Sequence, residues 1–118
     1  MKKTIQTPAD LIDEEISAIS FVRDYVEVHF DGPILRSVSN PIVVIKAVEH
    51  RFPEPGSRDA LCKVIGTTVL AVKLEDGHAF ELSTSGGHKI IIPLDTKSRT
   101  NPEAMHFVPG LNQPIQVW

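Results

Sequence analysis

The sequence holds a single cysteine, Cys62, among 118 residues. No disulfide can therefore form within the chain, and a reducing, cytoplasmic setting is expected. Positive charge is also short, with a formal net charge of −3. Without a basic excess there is little to draw a phosphate backbone, so nucleic acid is not an expected partner. Long apolar runs are missing too. The longest, such as Ile42 to Ile45, fall far short of the roughly 20 residues that cross a bilayer as a helix. Met1-Lys2-Lys3 opens like a secretory leader, but Gln6, Asp10, Asp13, Glu14 and Glu15 stand where its apolar segment belongs. Neither a signal peptide nor membrane attachment is expected.

The common marks of catalysis are lacking as well. The five histidines are His29, His50, His78, His88 and His106. None has the close spacing that puts two imidazoles on one metal, although His78 and His88 flank one predicted strand. Ser83-Thr84-Ser85-Gly86-Gly87 lacks the Gly-Lys-Ser/Thr ending of a phosphate loop and reads as a hairpin loop. Cys62 falls within a predicted helix, where it reads as a small, partly buried hydrophobe. Asp24, Asp31, Asp59, Asp76 and Asp95 suit turns and caps. No cofactor or metal is expected, and the reading leans away from an enzyme. Arg36, Arg58 and Arg99 would make an anion site only if the fold gathered them.

What is present describes a globular chain, 42% hydrophobic and 23% charged, and its length predicts one domain over residues 1–118. Its clearest stretch runs from Val64 to Leu94. Two alternating segments flank Asp76-Gly77, which predicts a tight type I′ hairpin turn, and a third follows Gly86-Gly87. Leu70, Val72 and Leu74 are expected to share an inner face with Phe80, Leu82, Ile90, Ile92 and Leu94. Lys73, Glu81 and Lys89 take the opposite parity, which predicts a wet face with cross-strand charge pairs.

Earlier in the chain, Thr7-Pro8-Ala9-Asp10 has the form of a helix start. Leu11, Ile12 and Ile16, with Ile19 just past its end, then predict an amphipathic helix within residues 1–18. Phe21 to Phe30 reads as one strand, with Asp24 breaking its alternation; a partner, a bulge or a strand end would each explain that. Strands are predicted over Ile34–Val38 and over Ile42–Ile45, the latter β-branched throughout and expected to be covered on both faces. Ala47 to Phe52 either forms a sheet edge or bends away. Ser57 would cap a helix from Arg58 to Ile65, with Gly66 at its end. Thr100 to Phe107 predicts a further capped helical turn, with Asn101 as cap and Pro102 at the first position. The tail, residues 109–118, ends in Ile115, Val117 and Trp118, as a docked edge strand or as an anchor for another copy.

The predicted class is therefore α+β, mainly β. Two antiparallel three-strand meanders with short helices would form a curved sheet, a partial barrel or two packed sheets. The halves resemble a weak internal repeat, pairing Phe30-Asp31-Gly32 with Glu75-Asp76-Gly77.

FVRDYVEVHFDGP (Phe21 to Pro33), RDALCKVIG (Arg58 to Gly66), LEDGHAFELS (Leu74 to Ser83) and the Thr100 to Phe107 segment together resemble a group of small bacterial proteins of unknown function. The resemblance runs from about Phe21 to Phe107. It implies a free-standing bacterial cytosolic domain and carries over no catalytic residue.

Two functions follow as expectations. The first is a non-enzymatic protein-interaction module, self-associating, with an immunity or accessory role; its contact candidates are Phe52, Val117 and Trp118. The second is a small-ligand binder or hydrolase with a polar site between the two sheet halves, built on Asp24, Tyr25 and an arginine.

Overall fold

A computed structural model describes residues 4–99, 101–110 and 112–118. Met1-Lys2-Lys3, the leader-like opening of the sequence, lies outside the described residues. Among these residues, ten strands form two antiparallel five-stranded sheets. The first contains β1 (Ala18–Val22), β2 (Tyr25–His29), β3 (Ile34–Ser37), β9 (Met105–Val108) and β10 (Gln116–Val117), in that spatial order. The second contains β4 (Ile42–Ile45), β5 (Val48–Arg51), β6 (Val69–Glu75), β7 (Ala79–Thr84) and β8 (His88–Pro93), in the order β5-β4-β8-β7-β6. Alternate residues from both sheets meet in one core. Val26, Val28, Leu35 and Phe107 come from the first, and Val43, Phe80, Leu82, Ile90 and Ile92 from the second. This is the α+β, mainly β, two-sheet form of the predicted class.

The meander from Val69 to Pro93 forms with the expected strand sequence, but its first turn differs. Glu75 pairs with Ala79, so three residues connect the strands. Only Gly77 takes a positive φ (73°), and the His78 N–H closes on the Glu75 carbonyl. Glycine stands at the third position of this β-turn, where left-handed backbone is required, and type I′ is not adopted. Leu70 is also re-aimed. A bulge between Val69 and Ala71 shifts the register, burying Val69 and leaving Leu70 59% exposed.

Other expectations are corrected. The N-terminal helix shortens to one 3-10 turn, Pro8–Leu11, because Asp13 turns left-handed (φ 76°). Ile16 is nevertheless fully buried, and Ile19 enters β1. Phe21 to Phe30 is a hairpin and not one strand: Val22 pairs with Tyr25, with Arg23 and Asp24 as its turn. Asp24 breaks the alternation because it sits in that turn. The β-branched Ile42–Ile45 strand leaves the first meander and joins β8, so the two halves are not copies. Ala47 to Phe52 turns back as edge strand β5. The middle helix, α1, spans Ser57–Cys62, with Gly56 (φ 87°) at its N-cap in place of Ser57. Cys62 lies on its exposed side and is not partly buried.

The third helix is also absent where it was expected. Asp95 caps a 3-10 turn, Thr96–Ser98, and Met105 to Val108 are strand β9. Thr100, the start of that expected segment, lies outside the described residues.

Both crossings between the sheets are tied down. Between β3 and β4, the main-chain N–H groups of Val38 and Ser39 donate to the Ala104 carbonyl. The Ser39 hydroxyl donates to the Pro93 carbonyl of β8. On the return, the Arg99 guanidinium donates to the carbonyls of Leu94 (3.0 and 2.9 Å) and Pro102 (2.6 Å). The bonds to Leu94, itself buried, satisfy a carbonyl that packing would otherwise strand.

Candidate functional site

On the outer face of the first sheet, strand register places Ser20, Glu27, Arg36, His106 and Val117 in one row across five strands. The polar members bond to one another. Arg36 Nε donates to Glu27 Oε2 at 2.9 Å. Arg36 Nη1 lies 3.1 Å from His106 Nδ1, and His106 Nε2 meets a Glu103 carboxylate oxygen. At the other end, His29 Nε2 is 3.3 Å from Glu27 Oε1 and 3.1 Å from the Ser20 hydroxyl. Glu27 is more enclosed than Arg36, His29, His106 or Glu103, with its side chain 12% exposed.

Tyr25 flanks this row. Its ring lies beneath the Arg36 guanidinium, 4.9 Å from carbon to centroid, in a cation–π contact. Two adjoining hollows meet at Asp24 and Tyr25. One, of about 270 Å³, is also walled by Ser37 to Pro41 and Phe52. The other, of about 320 Å³, is walled by Arg36, Pro102, Glu103 and His106. The structure thus brings Asp24, Tyr25 and one arginine together. The first hollow lies between strands of the first sheet and the residues Pro41 and Phe52 that flank β4 and β5 of the second, and the second lies on the outside of the first sheet. Arg58 and Arg99 are elsewhere, so the three arginines form no common anion site.

The contact candidates fall in separate places. Phe52 stacks on Phe21 with centroids 6.0 Å apart and planes 9° from parallel. The Arg58 guanidinium lies 4.8 Å from the Phe52 centroid, and together these groups close the sandwich edge beside α1. Trp118 packs against the core of its own chain, and its main-chain N–H donates to the Met105 carbonyl at 2.9 Å. The tail is therefore a docked edge strand, with Val117 half exposed in β10. His78 and His88 do not converge, because β7 separates them.

The outer face of the second sheet carries another arrangement. Ile42 pairs with Ile91, and Val44 lies two positions along on the same face. All three are partly exposed. Around them stand Glu49 and Arg51 on β5, Lys89 on β8, Glu81 on β7, and Lys73 and Glu75 on β6. Lys89 and Glu81 pair at 3.2 Å, and Lys73 and Glu75 at 2.9 Å. The hydrogen bond from Lys73, followed by its charge, holds the Glu75 carboxyl below its usual range; the same bond raises Lys73. The predicted wet face is present, with a cross-strand pair in Lys89–Glu81, whereas Lys73 pairs along its own strand with Glu75 and not with Glu81 opposite it.

No protein-family model, curated protein or solved structure matches the chain. Among the described residues, no group of three or more His, Cys, Asp or Glu side chains is placed to hold a metal ion. No described helix is long and apolar enough to cross a membrane.

Sequence reasoning reached Asp24 and Tyr25 but missed Glu27, Glu103 and His106. Glu27 and Arg36 have matching parity on successive strands, which is a usable signal for a cross-strand pair. His106 was concealed by the helical reading of its segment.

Proposed function

We propose that this chain is a non-enzymatic protein-interaction module and that it associates with copies of itself. The observation carrying this reading is the apolar centre of the second sheet's outer face. Strand β4 is β-branched at every position, and β8 contains Ile90-Ile91-Ile92. Such strands suit cover on both faces. The described residues cover only one: α1 touches β1 as well as β4 and β5, which puts it at the sandwich edge. Ile42, Val44 and Ile91 remain partly open within a rim of mixed charge, the anatomy of a contact surface. A reducing cytoplasm suits the exposed lone thiol of Cys62, and an accessory or immunity role suits a module of this kind. Sedimentation velocity over a wide concentration range tests the association. A dimer that grows with concentration is expected, and a monomer throughout would overturn the reading.

A small-ligand binder is the second reading, favoured by the two hollows that meet at Asp24 and Tyr25. A thermal-shift screen across metabolites and metals tests it. Stabilisation that disappears in Asp24→Asn and Tyr25→Phe would favour the binder, and no shift with any compound would remove it.

A further inference from the structure

We infer that two copies of this chain pair through the outer faces of their second sheets, about a two-fold axis that runs along the strands midway between β4 and β8. The inference rests on the self-association reading and adds a register to it. Its basis is the charge order written across the sheet. One row reads Arg51, Ile42, Ile91, Glu81, Lys73 from β5 to β6, and the next reads Glu49, Val44, Lys89, Ser83, Ala71.

A two-fold contact must match one surface with itself. An axis along β8 would set Arg51 over the partner's Lys73 and Ile42 over the partner's Glu81. That combination opposes like charges and buries a carboxylate under an isoleucine. Moving the axis half a strand toward β4 changes both contacts. Ile42 then meets the partner's Ile91, and Arg51 meets the partner's Glu81. In the second row, Val44 lies against the aliphatic stem of the partner's Lys89. Glu49 stands one strand from that ammonium. Symmetry makes every contact occur twice. Strand β6 falls outside the overlap, so Lys73 keeps its bond to Glu75. Aligned packing of two sheets about 10 Å apart accommodates this stack.

A two-fold axis across the strands is the competing arrangement. It would set Arg51 over the partner's Glu49 and Ile91 over the partner's Lys89, leaving Arg51 and Glu81 uncoupled. Charge reversal distinguishes the two. Arg51→Glu and Glu81→Arg are made singly and together, with circular dichroism to establish that each folds, and association is read by sedimentation velocity beside the unaltered chain. Each single variant opposes like charges at two symmetric points, so dimer affinity should fall by about tenfold or more. The double variant should recover to within about threefold of the unaltered chain. Ile91→Lys, as an independent probe of the apolar centre, should also give monomer. If the unaltered chain dimerises but the double variant shows no recovery, or the single variants show no loss, this register is wrong while self-association stands. If the unaltered chain is monomeric throughout, both are wrong.

Discussion

Arg36 and His106 stand directly opposite one another on β3 and β9, and the guanidinium Nη1 lies 3.1 Å from the imidazole Nδ1. A guanidinium only donates hydrogen bonds, so Nδ1 must present its lone pair. The ring proton of neutral His106 therefore resides on Nε2, facing the Glu103 carboxylate. Nitrogen-15 NMR near neutral or mildly alkaline pH should find the Nε2–H tautomer. A majority of Nδ1–H would contradict the row as described.

Removing Arg36 should cost more than a surface arginine does. Its Nε–H satisfies Glu27, whose side chain is only 12% exposed. An Arg36→Met variant keeps much of the stem over Tyr25 but leaves that carboxylate with His29 alone. A loss of about 2 kcal/mol is expected in urea unfolding. Arg36→Lys should recover little of it, because an ammonium cannot present the planar fork that reaches both Glu27 and His106. A loss below about 0.5 kcal/mol would place this row among ordinary surface pairs.

Asp95 predicts a local acid dependence. The Ser98 hydroxyl and main-chain N–H both donate to its carboxylate, and the hydroxyl bond leads in holding its pKa below the usual value. A pKa that is lower in the folded state than in the unfolded state stabilises above the unfolded value, near 4. That contribution fades as pH falls through the folded value. Asp95→Asn should therefore narrow the stability gap between pH 7 and pH 3. An unchanged pH profile in the variant would show that the cap contributes nothing through its charge.

Turn chemistry decided how much of this fold was legible. The Val69–Pro93 meander could be read because glycines punctuate both its connections. The β1–β2 hairpin was hidden because Arg23-Asp24 interrupts apolar alternation by only two residues, and nothing in the pair demands left-handed backbone. Thr7-Pro8 carried real start signals, yet a helix also needs a following turn, and the left-handed Asp13 ends it. The placement of Ile42–Ile45 was illegible for another reason. Parity reports which residues face inward, but not which sheet a strand joins. The same limit applied to the outer row: Arg36 and His106 lie 70 positions apart, and only the strand order β3-β9 brings them together.

The β4–β5 hairpin offers a sharper test of that turn chemistry. Ile45 pairs with Val48, so Lys46 and Ala47 alone make the turn. Both have positive φ, 47° and 69°, the pattern of a type I′ turn that favours Asn-Gly. Left-handed backbone at residues with a Cβ costs about 1 kcal/mol or more each. Ala47→Gly with Lys46→Asn should thus stabilise the chain by about 1 kcal/mol, after allowing for the greater freedom glycine has when unfolded. For a domain of this length that is roughly 3–5 °C in melting temperature. Ala47→Gly alone should supply most of the gain, since alanine has no side-chain hydrogen bond to ease the left-handed state. A lower melting temperature for both variants would mean the turn is not type I′ in solution.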